Sequence, residues 1–210
     1  MSAILVEPKI LNHPWYRKWE CGELPVTALQ TYAKDYYWQV ANFPRYLSGL
    51  HTQLETLEDR QVVLENLNEE ENQAMPHPEL WLDFAESLGL NRNEVKTSTP
   101  SAAAKNLVDT FRTLVASGKE EALGALLAYE SQVPEVAHFK SKALKQHYLS
   151  ETTADAGVKF FVVHEKADVW HTESLEKILN KFSGPGKECA QQAATKACSA
   201  LWSFLDAMPN

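Results

Sequence analysis

Three side chains of metal-binding type, His164, Asp168 and His171, fall inside an apolar helical stripe defined by Phe160, Phe161, Ala167, Leu175, Ile178 and Leu179. At about 100° per residue, positions 164, 168 and 171 point within roughly 60° of one another, toward the core, while Glu165 and Lys166 point elsewhere. A carboxylate buried between two imidazoles is costly unless something compensates. A divalent cation does so directly, because it accepts both donor types. The plainer alternative is structural: His164 hydrogen-bonds within the core and Asp168 pairs with His171.

The same anomaly recurs on two other segments. Leu123, Leu126 and Leu127 set a stripe that reaches Glu130. Val63 and Leu67 set another that reaches Glu70; Glu69 points away from it, and Glu71 stays open as a substitute because three consecutive glutamates leave the register free by one. His77 follows the Met75-Pro76 interruption and could swing back toward Glu70. For either glutamate the ordinary alternative is a solvated acidic helix end. Together Glu70, His77, Glu130, His164, Asp168 and His171 supply three carboxylates and three imidazoles from separate helices, including a carboxylate-x-x-His element. That is the inventory of a two-metal carboxylate site in a helical bundle. Three anions against two divalent cations leave a net positive centre with positions open to O2. Zinc hydrolysis is disfavoured, since H-E-x-x-H is absent and six ligands exceed a closed tetrahedron.

Elements able to position such a set read as all helical. Apolar residues recur at three and four positions, without strand alternation or Asn-Gly hairpins. The pattern predicts a helix within 25–51 carrying Leu29, Tyr32, Tyr36 and Val40 on one stripe, with Pro44 kinking or interrupting it. Further helices are expected over 57–71, from near His77, from a Thr99 cap and first-turn Pro100 to Gly118, over 120–148, over 153–182 and over 188–208. Short connections and the absence of a composition shift point to one domain over 1–210.

Composition sets limits on function. The chain has 210 residues, 44% of them hydrophobic, and a formal net charge of −8 without a basic run, which argues against nucleic acid and anionic membrane surfaces. No apolar stretch approaches a spanning helix, and Glu7 and Pro8 stand where a signal peptide needs an apolar run; a cytoplasmic location is expected. Cys21, Cys189 and Cys198 lack C-x-x-C spacing, so reduced structural thiols are expected.

Six runs carry a resemblance: His13-Pro14-Trp15-Tyr16, Tyr32-Ala33-Lys34-Asp35-Tyr36-Tyr37, Phe43-Pro44-Arg45-Tyr46-Leu47, His77-Pro78-Glu79-Leu80-Trp81, Tyr129-Glu130-Ser131-Gln132-Val133-Pro134 and His164-Glu165-Lys166-Ala167-Asp168-Val169-Trp170-His171. Through them nearly the whole chain resembles the haem-oxygenase-like dimetal oxidases, most closely the 4-aminobenzoate synthase group. The resemblance implies a haem-oxygenase-like bundle of seven or eight helices around the metal site, with the six ligands at the six residues reached above. It implies two divalent ions, iron or iron and manganese, together with O2 and an external reductant. It further implies self-sacrificing oxidation of an internal tyrosine, with Tyr16 and Tyr32 as candidate precursors, Lys140 as candidate amino donor and Tyr129 as electron relay. Phe160 departs from the pattern, standing where the family carries a tyrosine, so no radical role falls there. A homodimer is left open.

Competing readings are an oxidase acting on an external substrate, by fatty-acid decarboxylation or amine N-oxidation, and metal-free relatives of thiaminase or quinone-cofactor-synthase type. The thiaminase route needs a placed cysteine nucleophile, which no cysteine here is positioned to be. A non-enzymatic helical interaction module is the last, and no exposed leucine-rich or basic face supports it.

Overall fold

The computed structural model describes Ile4 and residues 6–210, apart from the side chains at positions 166 and 167, so the expectations for Lys166 and Ala167 lie outside the described residues. A 3-10 turn, Ile10–Asn12, precedes ten α-helices: α1 Pro14–Glu20, α2 Val26–Gln53, α3 Leu57–Glu70, α4 His77–Ser87, α5 Arg92–Lys96, α6 Ala102–Ser117, α7 Lys119–Glu130, α8 Val133–Ala143, α9 Glu151–Asn180 and α10 Gly184–Asp206. Eight have eleven residues or more, and no strand occurs among the described residues. The helical reading and the expected count of substantial helices both hold.

Caps fix where these helices begin. His13 accepts the Trp15 N–H on Nδ1 at 3.1 Å, ahead of Pro14 in the first turn of α1. Thr56 takes the Asp59 N–H, and its own hydroxyl donates to the Asp59 carboxylate at 2.8 Å, a reciprocal closure of the α3 terminus. α6 is capped by Ser101, which accepts from Ala104 N at 3.1 Å. The expected Thr99 cap is therefore two residues early, because the side chain able to reach the third helical N–H is that of Ser101. α10 likewise starts at Gly184 on a Ser183 cap, ahead of the expected 188.

Two breaks also differ from expectation. Pro44 neither ends nor divides α2, although a helix-interior proline costs about 3 kcal/mol. Phe43, Tyr46, Leu47 and Leu50 around it are all buried, and at roughly 1.5–3 kcal/mol each their burial outweighs that cost. The helix expected over 120–148 is instead divided into α7, α8 and a π-type turn, Leu144–Tyr148. Pro134, which lacks an N–H, sits in the first turn of α8, so a new helix begins at Val133, with two residues between it and the end of α7 at Glu130.

α7 is the central element, buried around its whole circumference from Ala122 to Glu130. It packs most extensively on α10, tightly so at Gly124, where a Cβ would lie 2.0 Å from the Ala190 carbonyl oxygen. Above it an aromatic cluster of Trp15, Trp19, Tyr32, Trp81, Phe84 and Phe161 fills the bundle. The Trp81 indole N–H donates to the Ala33 carbonyl at 2.7 Å, tying α4 to α2. No helix of the described residues is long and apolar enough to cross a membrane.

Candidate metal centre and the tyrosine–lysine pocket

All six expected ligands are buried, none more than 4% exposed. Glu70 is the last residue of α3, on a face with buried Val63 and Asn66; its neighbour Glu71 is exposed, which closes the register question. His77 opens α4, Glu130 ends α7, and His164, Asp168 and His171 share one face of α9. Helix ends and one continuous stripe thus deliver the set.

Glu70, His77 and His164 each offer a ligand atom within 4.8 Å of the others. Glu70 Oε1 lies 3.0 Å from His77 Nδ1 and 3.7 Å from His164 Nε2, and the two imidazole centres are 4.4 Å apart. His164 Nδ1 faces the Phe160 carbonyl at 2.7 Å, which leaves Nε2 as the inward atom. Burial alone would raise the Glu70 pKa, but His164 and His77 hold it down at about 2. Burial would lower that of His164, and Asp168 and Glu70 push it up to about 9. An anion and two imidazoles so arranged trap positive charge, as protons or as a metal ion.

The other three are held differently. His171 Nδ1 is 3.3 Å from Asp168 Oδ1 and its Nε2 is 3.2 Å from Glu69 Oε2. Contrary to expectation, Glu69 does reach the site: the residue is exposed on the helix surface, but its flexible side chain folds back over His171. Asn66 donates to Glu130 Oε1 at 2.7 Å. Burial, then the Asp168 charge, raises the Glu130 pKa well above the carboxylate range. With both imidazole nitrogens turned to carboxylates, this second trio does not close as the first does. His77 Nδ1, His171 Nε2, Glu130 Oε2 and Asn66 Oδ1 have no hydrogen-bond partner in bonding geometry, even where a carboxylate is near. Unpartnered polar atoms on three of the expected ligands, His77, Glu130 and His171, are costly when buried, and the cluster of Glu70, His77 and His164 fits a metal ion.

Next to this chamber lies a second. The first is lined by Val40, Phe43, Glu70, Tyr129, Phe160, His164 and Asp168, and the second by Tyr36, Trp81, Tyr129, Lys140, Phe160, Phe161 and the roof residue Ile10, among others. Tyr129 and Phe160 are shared and form the partition. Lys140, on α8, is 3% exposed; its Nζ donates to Tyr32 Oη at 2.6 Å and to Tyr16 Oη at 3.0 Å, and it lies over both rings at 4.7 and 4.6 Å. Burial pushes its pKa well below the lysine range, and burial likewise raises Tyr16, Tyr32 and Tyr129 well above the phenol range. Burial in this pocket thus favours the uncharged amine and the uncharged phenols.

Tyr36 is the residue that sequence reasoning left in the core stripe. Its hydroxyl donates to Tyr129 Oη at 3.4 Å and its ring stacks on Tyr32 at 5.1 Å, joining the partition to the lysine pocket. Asn66 was equally legible, lying four residues before Glu70 on the same face. The three cysteines are free and none lines either chamber.

A 4-aminobenzoate synthase of Chlamydia muridarum is 36% identical over 207 residues, 98% of this chain and 87% of that protein. A 4-aminobenzoate synthase of Nitrosomonas europaea is 36% identical over 218 residues, covering 98% and 88%. A domain of unknown function with a heme oxygenase-like fold from Shewanella denitrificans superposes with a TM-score of 0.76 at 18% identity, over 94% of this chain and 84% of that one. The fold is thus haem-oxygenase-like, as expected. Residues 5–210 match the TENA/THI-4/PQQC family model, and with that span the chain belongs to the TENA/THI-4/PQQC family.

Proposed function

We propose that the protein is an O2-dependent dimetal oxidase that forms 4-aminobenzoate by consuming one of its own tyrosines, with Lys140 as the nitrogen source. The observation that carries the reading is the buried Lys140 amine held against the hydroxyls of Tyr16 and Tyr32, one partition away from the carboxylate–imidazole chamber. The names of relatives at 36% identity support the product.

In this reading Glu70, His77 and His164 hold one metal ion, and Glu130, Asp168 and His171 hold the other. Bound iron, or iron with manganese, supplies activation of O2. The remaining work falls to the chain. Deprotonated amine is the form of lysine that can pass nitrogen to a carbon, and burial favours it. The phenols of Tyr16 and Tyr32 keep their protons, so oxidising either one requires a proton acceptor, and the Lys140 lone pair stands within hydrogen-bond reach of both. Tyr129 and Tyr36 carry electrons from the lysine pocket to the partition by their hydroxyl contact and the ring stack on Tyr32. Free space beside Lys140 is only about 20 Å³, near the minimum for one water. That supports an internal substrate over a fatty acid.

The test loads the chain anaerobically with Fe(II) and Mn(II), counts metal after desalting beside His171→Ala, then adds O2 and reductant. Close to two metals, fewer in the variant, and at most about one 4-aminobenzoate per chain with mass lost at Tyr16 or Tyr32 is the expected result. Many turnovers with intact tyrosines, or no metal above the variant, would overturn it.

A further inference from the structure

On the far side of α2 from the metal chamber, between α2, α5 and α6, lies a surface groove of about 470 Å³, within the size range of pockets that hold small ligands. Its floor is aromatic. Tyr37 and Trp38 are half-buried with ring centres 6.0 Å apart, and the Trp38 indole N–H donates to Ser98 Oγ at 3.3 Å, which fixes the plane of the ring. Its rim is cationic: Arg45, Lys96, Lys105 and Arg112 stand against the single lining carboxylate of Asp109.

Those charges are not equivalent. Lys105 is paired with Asp109, and Lys96 with Glu79 at 2.7 Å. Neither guanidinium has a carboxylate partner among the described residues. Arg112 instead donates to Asn42 Oδ1 at 2.8 Å, and Asn42 is buried and tied by its own amide to the Trp38 carbonyl at 2.6 Å. Two guanidiniums left without carboxylates beside a fixed indole are out of keeping with a chain of net charge −8. Guanidinium forks match phosphate oxygens in pairs, and an indole face accepts a stacked ring.

The groove also has a meaningful position. Val40 and Phe43 line the metal chamber, while Ala41, Asn42 and Arg45 line the groove, so only the thickness of α2 separates them. A helix with side chains is about 10–12 Å across. A donor seated there must pass electrons singly through the wall, which suits a ring that gives them up one at a time and excludes direct hydride transfer.

We propose that this groove binds a phosphorylated isoalloxazine, its ring on Trp38 and its phosphate between Arg45 and Arg112, and that this is where the reductant docks. The ring loses two electrons and two protons as it passes from the dihydro to the oxidised form. O2 takes four of each to become two waters, the other two coming from the oxidised residue of the chain. The docking role rests on the oxidase reading above; the binding itself does not.

The first experiment titrates the metal-free full-length chain with flavin mononucleotide, following flavin fluorescence. Saturable binding at micromolar concentration is expected, weakened about tenfold or more for riboflavin, which lacks the phosphate, and for Arg45→Glu/Arg112→Glu, with Arg45→Gln intermediate. These arginines are exposed, so an unchanged melting temperature verifies that the variants fold. No saturable binding, equal binding of riboflavin, or undiminished binding by the double variant would overturn the site. The second experiment compares reduced flavin mononucleotide with ascorbate, which coexists with O2, on metal-loaded protein in the presence of O2. Product from ascorbate in both proteins, but from reduced flavin only in the wild type, is expected. Equal flavin-driven product in the double variant overturns the docking role, whereas failure of ascorbate in both indicts the oxidase reading and leaves the binding result standing.

Discussion

Lys140 shows how much chemistry one burial event sets. An unfolded lysine holds its proton up to about pH 10.4, whereas the folded one loses it well below that. Unfolding therefore takes up a proton at any pH between the two values, and stability rises with pH across that window, by at most about 1.4 kcal/mol per pH unit from this group. Chemical denaturation at pH 7 and pH 9 should show Lys140→Met more stable than the wild type at the lower pH, with the gap narrowing at the higher. A pH-independent gap would mean that the amine stays charged in the fold. The same side chain marks a limit of sequence reading. Lys140 and the tyrosines came forward through family resemblance, because burial of a lone lysine has no local signature. Glu69 misled for a related reason: backbone direction is legible from spacing, but the reach of a flexible side chain is not.

At the scale of the element, legibility followed periodicity. The α9 stripe was readable because ligand types replaced apolar residues without leaving its face, and all three proved buried. α5, with five residues, offers no period to find, and the division after Glu130 depended on reading Pro134 as a first-turn residue rather than an interior one. Pro44 shows the reverse, a local helix breaker overridden by its neighbours' packing. The contact between α7 and α10 yields a firm expectation. Gly124→Ala places a methyl against the Ala190 backbone, which has no flexible end to move. A loss of about 3 kcal/mol or more is expected, read as a melting temperature lower by roughly 6 °C or more in a chain of this size. An unchanged melt would mean that the two helices separate at little cost.

For the whole molecule, the carboxylate–imidazole chamber joins helix ends from α3, α4 and α7 to the middle of α9, so its occupancy couples to global stability. A metal ion that binds the folded chain alone adds about 2.7 kcal/mol at a hundredfold excess over its dissociation constant. Calorimetry with Fe(II) or Mn(II) under anaerobic conditions should show a rise of several degrees that a chelator reverses and that His164→Ala largely removes. No rise in the wild type would argue that the chamber is filled by protons alone. The roof of the neighbouring chamber carries a different consequence. Ile10 lines it from the turn ahead of α1, and that turn is held by the Ile10 N–H donating to Gln132 Oε1 at 2.8 Å, two residues past Glu130. Ile10 thus stands where water would enter: Ile10→Gly should wet Lys140 and raise its pKa and, on the proposed reading, lower the yield of 4-aminobenzoate without touching a single residue of the metal site.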